Sequence, residues 1–352
     1  MASFPSVGSA PFSGVADTPN MGAGLPLEAG ASVQATLDRS SACSPEGLAM
    51  TEAQMTKRTL PNLFVVGVSR GGTTSLFEYL GQHPEVYTSN IKELRYFSPL
   101  RYGEPLGDLD AYAAHFEGST HRYSVEATPG YFYGGRPLAR AMLETCPSAR
   151  AMVSLRSPGD RCWSWFQFVK SRTRIPRDMT FDAYLDRCEE LHEAGLDGSV
   201  ENQPYWGLGG GCYAEWLPAW IEELGQNFRI LFFDDLKADS RGTMEGIYSW
   251  LGLEADAVTD SAMRVNNKAE QYRLRRLQKA ALKFNRSGEA FFHRHPEMKR
   301  GLRRVYYSVN KAAAEPPMSA SARARMEDFF KSHDALLAEQ LAAVGMSLPK
   351  SW

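Results

Sequence analysis

A glycine-rich turn and an arginine–serine pair carry the chemistry legible in the residues of this chain. The turn is Gly67-Val68-Ser69-Arg70-Gly71-Gly72, followed by the hydroxyl run Thr73-Thr74-Ser75. Its spacing matches the phosphate-binding pattern G-x-x-x-x-G-K-[ST] through Gly67, Gly72 and Thr74, but Thr73 occupies the lysine position. In that pattern the lysine reaches the outer phosphates of a nucleoside triphosphate and the next hydroxyl holds magnesium. A loop that keeps the cradle without the lysine fits a nucleotide lacking a β/γ-phosphate chain, with Arg70 as its long cation. The second site begins at Arg156, in Arg156-Ser157-Pro158-Gly159-Asp160-Arg161-Cys162-Trp163-Ser164. Ser164 falls about two helical turns beyond it.

The elements that must position these groups follow from the flanking pattern. Leu63-Phe64-Val65-Val66 reads as a buried parallel strand, and Leu76, Phe77 and Leu80 after the turn recur at helical spacing. Strand, turn and helix N-terminus together make an anion cradle, since free N–H groups and the helix dipole converge there. Ala151 to Leu155 predicts a further strand ending at Arg156. Ser157 is placed to cap the next helix, with Pro158 at its first position and Asp160 completing a capping box. Arg156 then stands at a strand carboxyl end, where open α/β sheets bind ligands. Short strands are expected after His83-Pro84, at Tyr123–Glu126 and at Phe228–Phe233. Helices are expected over 137–145, Phe181–Leu191, Tyr213–Leu224, a segment ended by Gly252, and Ser319–Val344. Strands alternating with helices give an α/β fold: a central parallel β-sheet flanked by helices in a single P-loop-like domain.

Composition bounds the remaining possibilities. The chain has 352 residues, 43% of them hydrophobic and 23% charged, as in globular proteins. A net charge of −2 gives no global attraction to nucleic acid, and no apolar run is long enough for a transmembrane anchor. Residues 1–57, dense in Ala, Gly, Ser, Pro and Thr, are expected to be a disordered tail ahead of a domain over 58–352. Cys43, Cys146, Cys162, Cys188 and Cys212 are odd in number and widely spaced, which fits a reducing compartment and no structural zinc. Soluble, cytoplasmic or otherwise intracellular localisation is the corresponding expectation. The basic stretch Arg273, Arg275, Arg276, Lys279, Lys283, Arg286, Arg294, Lys299, Arg300, Arg303 and Arg304 reads as a solvated helical surface or a local attractor of anions.

From Leu60 to Trp352 the chain resembles the PAPS-dependent sulfotransferases, particularly the carbohydrate, heparan sulfate-type and bacterial branch. GVSRGGTTSL resembles that family's 5′-phosphosulfate loop, and NIKELRYFS its segment with the catalytic glutamate. VEATPGYF is similar to the E-x-[ST]-P-x-Y-F segment at the acceptor site, and LRSPGDRCWSWF to the 3′-phosphate motif R-x-P-x-x-R-x-x-S. The stretch from Gly211 to Asp239, with the later Trp250-Leu251-Gly252-Leu253, resembles the region of the family's late strand.

The resemblance implies transfer of a sulfuryl group from PAPS to a hydroxyl or amine of a carbohydrate or small-molecule acceptor, without a metal. It implies Glu93 as general base and Arg70 as the cation stabilising the leaving phosphate. Arg70, Gly71, Gly72, Thr73, Thr74, Ser75, Arg156 and Ser164 would bind the cofactor. Lys92, Tyr131 and Phe132 would bind the acceptor, with Trp206 and the 174–210 insertion shaping its pocket. Heparan-type members have lysine where Arg70 stands, while tyrosylprotein sulfotransferases resemble this chain in using arginine. Ala127 replaces a heparan-type lysine, and the late cysteine-bridged K-G-R loop is missing, leaving Lys299-Arg300-Gly301 as a substitute clamp. The residues leave two other readings open: a P-loop-type kinase or nucleotidase, and a non-catalytic nucleotide-binding protein of the same fold.

Overall fold

The strands β1 (Leu63–Gly67), β2 (Val86–Thr88), β3 (Tyr123–Ala127), β4 (Arg150–Leu155) and β5 (Phe228–Phe232) form one parallel sheet in the order β2-β3-β1-β4-β5. The computed structural model describes residues 58–255, 272, 274–288, 292, 295–310, 312 and 315–352. The expectation of a tail over 1–57 lies outside the described residues, as do Arg273, His293 and Arg294 and the side chains of Arg275, Arg286, Lys299, Arg300 and Arg303.

The strands read as apolar runs because both faces of the sheet are covered. Alternate residues of β1 serve opposite faces. Phe64 and Val66 pack with Leu138, Met142, Leu217 and Trp220, from helices α3 (Gly135–Thr145) and α6 (Leu217–Leu224). Leu63 and Val65 pack with Leu76, Leu80, Met244 and Ile247, from α1 (Thr73–Leu80) and α8 (Ser240–Leu251). A third cluster joins α4 (Pro158–Ser171), α5 (Phe181–Glu193) and the C-terminal helix α11 (Ala320–Ala343) through Trp165, Phe166, Tyr184 and Phe330. Each such fully buried side chain contributes on the order of 1.5–3 kcal/mol.

Three local expectations are corrected. The helix expected over Tyr213–Leu224 is broken into a 3₁₀ turn at Tyr213–Glu215 and α6, because Pro218 lacks the N–H that a continuous helix needs. The strand expected over Phe228–Phe233 ends at Phe232, and Phe233 opens a short helix, α7 (Phe233–Ala238), that carries Asp234 and Asp235 ahead of α8. Ser157 precedes α4 with Pro158 in the first turn, but its hydroxyl makes no capping bond. Asp160 lies 4.0 Å from the Arg156 guanidinium, so the carboxylate faces a cation rather than completing a capping box.

Candidate active site

The turn after β1 closes between β4 and α1. Val68 donates its N–H to the Ser154 carbonyl at 3.1 Å, and Gly71 donates to the Val68 carbonyl at 2.9 Å, curling the chain back over the end of the sheet. A Cβ on Gly71 would stand 2.3 Å from the Ser154 carbonyl oxygen, so no side chain fits there. Gly72 takes φ 86° as the residue before α1 and supplies no side-chain cap. The first-turn amides of Thr73, Thr74 and Ser75 therefore point out of the helix start without a capping side chain. Anions bind at helix starts of this kind.

Adjacency of β1 and β4 brings the two sequence-predicted anion sites into direct contact. Arg70, itself at φ 74°, donates from Nε to Ser164 Oγ at 3.0 Å across 94 positions of sequence. Arg156 donates from Nη1 to the Arg70 carbonyl at 3.2 Å and lies over the Phe233 ring at 4.8 Å. Its own carbonyl accepts from the Tyr213 hydroxyl at 2.8 Å, which fixes the backbone where β4 ends.

The charges here are mostly of one sign. Burial, followed by the neighbouring cations Arg156, Arg172 and Arg161, pushes the Arg70 guanidinium down to about 10. Burial also lowers Arg156, and Asp160 only partly opposes it. Arg161 is fully buried, with Nη2 donating to the Trp206 and Gly207 carbonyls at 2.9 and 2.6 Å and, among the described residues, no carboxylate partner. Two part-buried guanidiniums, each lowered by burial and by neighbouring cations, are unfavourable by themselves and become favourable around an anion.

Arg172 and Phe168 are functional candidates that the sequence reading passed over. Both Arg70 and Arg172 lie 5.2 Å from the Phe168 ring centroid. The signal was present: Ser164, Phe168 and Arg172 recur every four residues from one face of α4.

Glu93 stands on the other side of the β1 turn, on the loop that borders β3. Its N–H bonds to the Ala127 carbonyl at 3.2 Å at the end of β3. Its carboxylate accepts from Lys92 Nζ at 3.3 Å and Arg95 Nη2 at 3.0 Å, with 36% of the side chain exposed. Burial pushes this carboxyl up, but Lys92 and Arg95 outweigh burial and hold it below its ordinary value. Glu93 and Arg95 both have positive φ, 65° and 63°, so the loop needs tertiary bonds to hold its shape.

Glu126 anchors those bonds. The Arg95 N–H donates to Thr128 Oγ1 and the Phe97 N–H to the Tyr131 hydroxyl, each at 3.2 Å. Both hydroxyls then donate to Glu126 Oε1, at 2.7 and 2.8 Å, while the Tyr112 hydroxyl donates to Oε2. Burial raises the Glu126 pKa and these hydrogen bonds only partly oppose it. Glu126, Thr128 and Tyr131 lie together in the VEATPGYF segment, but nothing in the sequence says that they bond one another or that Tyr112 joins them. Glu126→Ala is expected to destabilise the fold by about 3 kcal/mol or more, by leaving buried hydroxyl donors unpaired. The denaturant midpoint checks this, and an unchanged midpoint would show that the network contributes nothing.

The residues expected to touch an acceptor divide. Lys92 lies beside Glu93, at the site. Tyr131 and Phe132 have no exposed surface, so the structure puts them behind the site rather than in its lining. Tyr131 is part of the Glu126 network, and the Phe132 carbonyl accepts from Trp220 Nε1 at 2.9 Å. Trp206 is also buried, with Arg101 at 4.8 Å over its ring.

Comparison with known proteins bears on the family and the fold. The family profile described as Sulfotransferase domain matches residues 60–315. The mouse (Mus musculus) protein described as bifunctional heparan sulfate N-deacetylase/N-sulfotransferase 1 is 23% identical over 302 residues, 82% of this chain and 30% of that protein. The membrane-associated sulfotransferase kil1 of Dictyostelium discoideum is 30% identical over 148 residues, 40% of this chain and 30% of that protein. The chain thus spans less than a third of the length of these curated relatives. Among the described residues, no helix is long and apolar enough to cross a membrane. A sulfotransferase structure from Alicyclobacillus acidocaldarius shares the fold, with a TM-score of 0.60 at 21% identity, covering 82% of this chain and 98% of that one. With a parallel sheet, a lysine-free glycine turn and a family match over most of its length, the chain belongs to the sulfotransferase family.

Proposed function

We propose that this chain transfers a sulfuryl group from PAPS to a hydroxyl or amine of a carbohydrate or small-molecule acceptor. The observation that carries the reading is the cluster of Arg70, Arg156 and Arg172 around a lysine-free glycine turn. PAPS offers two separated anionic groups, a 5′-phosphosulfate and a 3′-phosphate, and no triphosphate. The turn amides and the hydroxyls of Thr73, Thr74 and Ser75 suit the first, and Arg156 with Ser164 suits the second. Arg70, bonded to Ser164 and rising from the turn, reaches between them.

Glu93 takes the acceptor proton as the acceptor oxygen or nitrogen attacks sulfur and the bond from sulfur to the bridging phosphate oxygen breaks. Arg70 stabilises the charge that the leaving bisphosphate acquires. Lys92 keeps Glu93 ionised and adds positive charge beside the acceptor. Carbohydrate acceptors are supported by the heparan sulfate relatives, at identities near 23%.

Calorimetry separates this reading from a kinase. Adenosine 3′,5′-bisphosphate is expected to bind without metal, and ATP with magnesium is not. The opposite pattern would overturn the assignment. Arg156→Ala is expected to weaken the bisphosphate by roughly 10-fold or more, as loss of a charge-assisted contact implies. An unchanged affinity would remove Arg156 from the cofactor site.

A further inference from the structure

Sulfuryl transfer uses none of the side chains gathered where the C-terminal helix meets the 3₁₀ turns before α6. Cys212, Glu215 and His333 each aim one ligand-type atom into a common space, with all three atoms within 4.8 Å of one another. Cys212 Sγ and His333 Nε2 are 3.7 Å apart. Two ligands of one tetrahedral zinc, at about 2.3 Å for sulfur and 2.0 Å for nitrogen, stand roughly 3.5 Å apart. We infer that Cys212, Glu215 and His333 form a site for a divalent metal of zinc type, completed by water.

The donor set selects the metal. Thiolate with imidazole and one carboxylate suits zinc and disfavours calcium and magnesium, which prefer oxygen ligands. Cys212 and Glu215 lie three residues apart on one tight turn, while His333 comes from the middle of α11, 121 positions away from Cys212. The imidazole is already oriented, because Phe329 stacks on it with ring centroids 5.6 Å apart and planes at 24°. The neighbouring His192 and Asp197, paired at 2.9 Å, supply further polar groups of the kind that surround metal ligands. The C-x-x-C rule that argues against zinc in the sequence cannot register a Cys-x-x-Glu turn completed by a remote histidine.

A metal here would fasten α11 to the segment that supports Arg161. The carbonyls of Trp206 and Gly207 hold that guanidinium, and Phe330 closes against Gly211. On binding, the Cys212 thiol passes its proton to solvent and the metal takes the resulting thiolate, with no change of oxidation state.

The test is cobalt titration of the full chain, freed of metal by chelator and kept reduced. A thiolate-to-cobalt charge-transfer band that zinc displaces is expected. Cys212→Ser and His333→Ala should each weaken binding by at least about 100-fold, the upper end of what loss of an outer partner costs. Cys43→Ser should leave it unchanged. In the unmutated chain, zinc should also slow alkylation of Cys212 below the rate that its burial alone allows in the metal-free chain, read by peptide mass mapping, so the outcome does not depend on the variants folding. Absence of the band, its survival in Cys212→Ser, or unprotected alkylation of Cys212 in excess zinc would each overturn the site.

Discussion

Glu93→Gln is expected to lower kcat by roughly 100-fold or more, the scale of general-base catalysis, with little change in affinity for the bisphosphate. Glutamine keeps the size of the side chain and accepts the same positive φ at no greater cost, so the loop should keep its shape. What disappears is the carboxylate that Lys92 and Arg95 hold ionised. Because those cations outweigh burial, the group is charged throughout the neutral range and titrates below its ordinary value of 4.5. The sign follows. Its contribution to stability is present above the unfolded-state pKa and is lost as pH falls through the lower folded value. The acid limb of kcat/KM should likewise lie below pH 4.5 and vanish in the glutamine variant. Near-normal turnover in Glu93→Gln, or an acid limb near neutrality in the unmutated chain, would remove Glu93 as the base.

Arg70→Ala is expected to cost a similar factor in kcat, roughly 100-fold, through loss of charge stabilisation on the leaving phosphate. It should not lower the melting temperature of the ligand-free protein. Burial opposes the Arg70 charge, and Arg156, Arg172 and Arg161 press on it further, so removing the charge relieves the fold. The rise in melting temperature on adding bisphosphate should shrink in the variant, since binding contributes stability by mass action. Arg70→Lys separates charge from geometry. Lysine retains the cation but loses the planar face over Phe168 and the donation from Nε to Ser164. Its kcat should fall between those of the unmutated chain and the alanine variant. A large loss of ligand-free stability in Arg70→Ala would mean that its bonds to Ser164 and Phe168 outweigh the repulsion.

Much of this site is written in short stretches of sequence. The apolar run into Gly67, the glycines at 71 and 72 and the hydroxyls at 73–75 specify strand, turn and helix start through local sterics. Arg156 and Ser164 follow from a strand end and a helical repeat in the same way. What remained invisible depended on strand order. With β1 between β3 and β4, its turn meets the Arg156 end on the β4 side, while the Glu93 loop is bonded to the end of the other neighbour, β3. No periodicity encodes the bond from Arg70 to Ser164 or the Glu126 network. The sequence likewise could not say that Tyr131 and Phe132 face inward, since aromatic residues suit a core and a binding pocket equally. Local backbone preference and hydrophobic period thus determined the elements and the anion cradle. Tertiary packing alone decided which distant side chains share the space around it, because contacts between chain-remote groups depend on the sheet that brings them together.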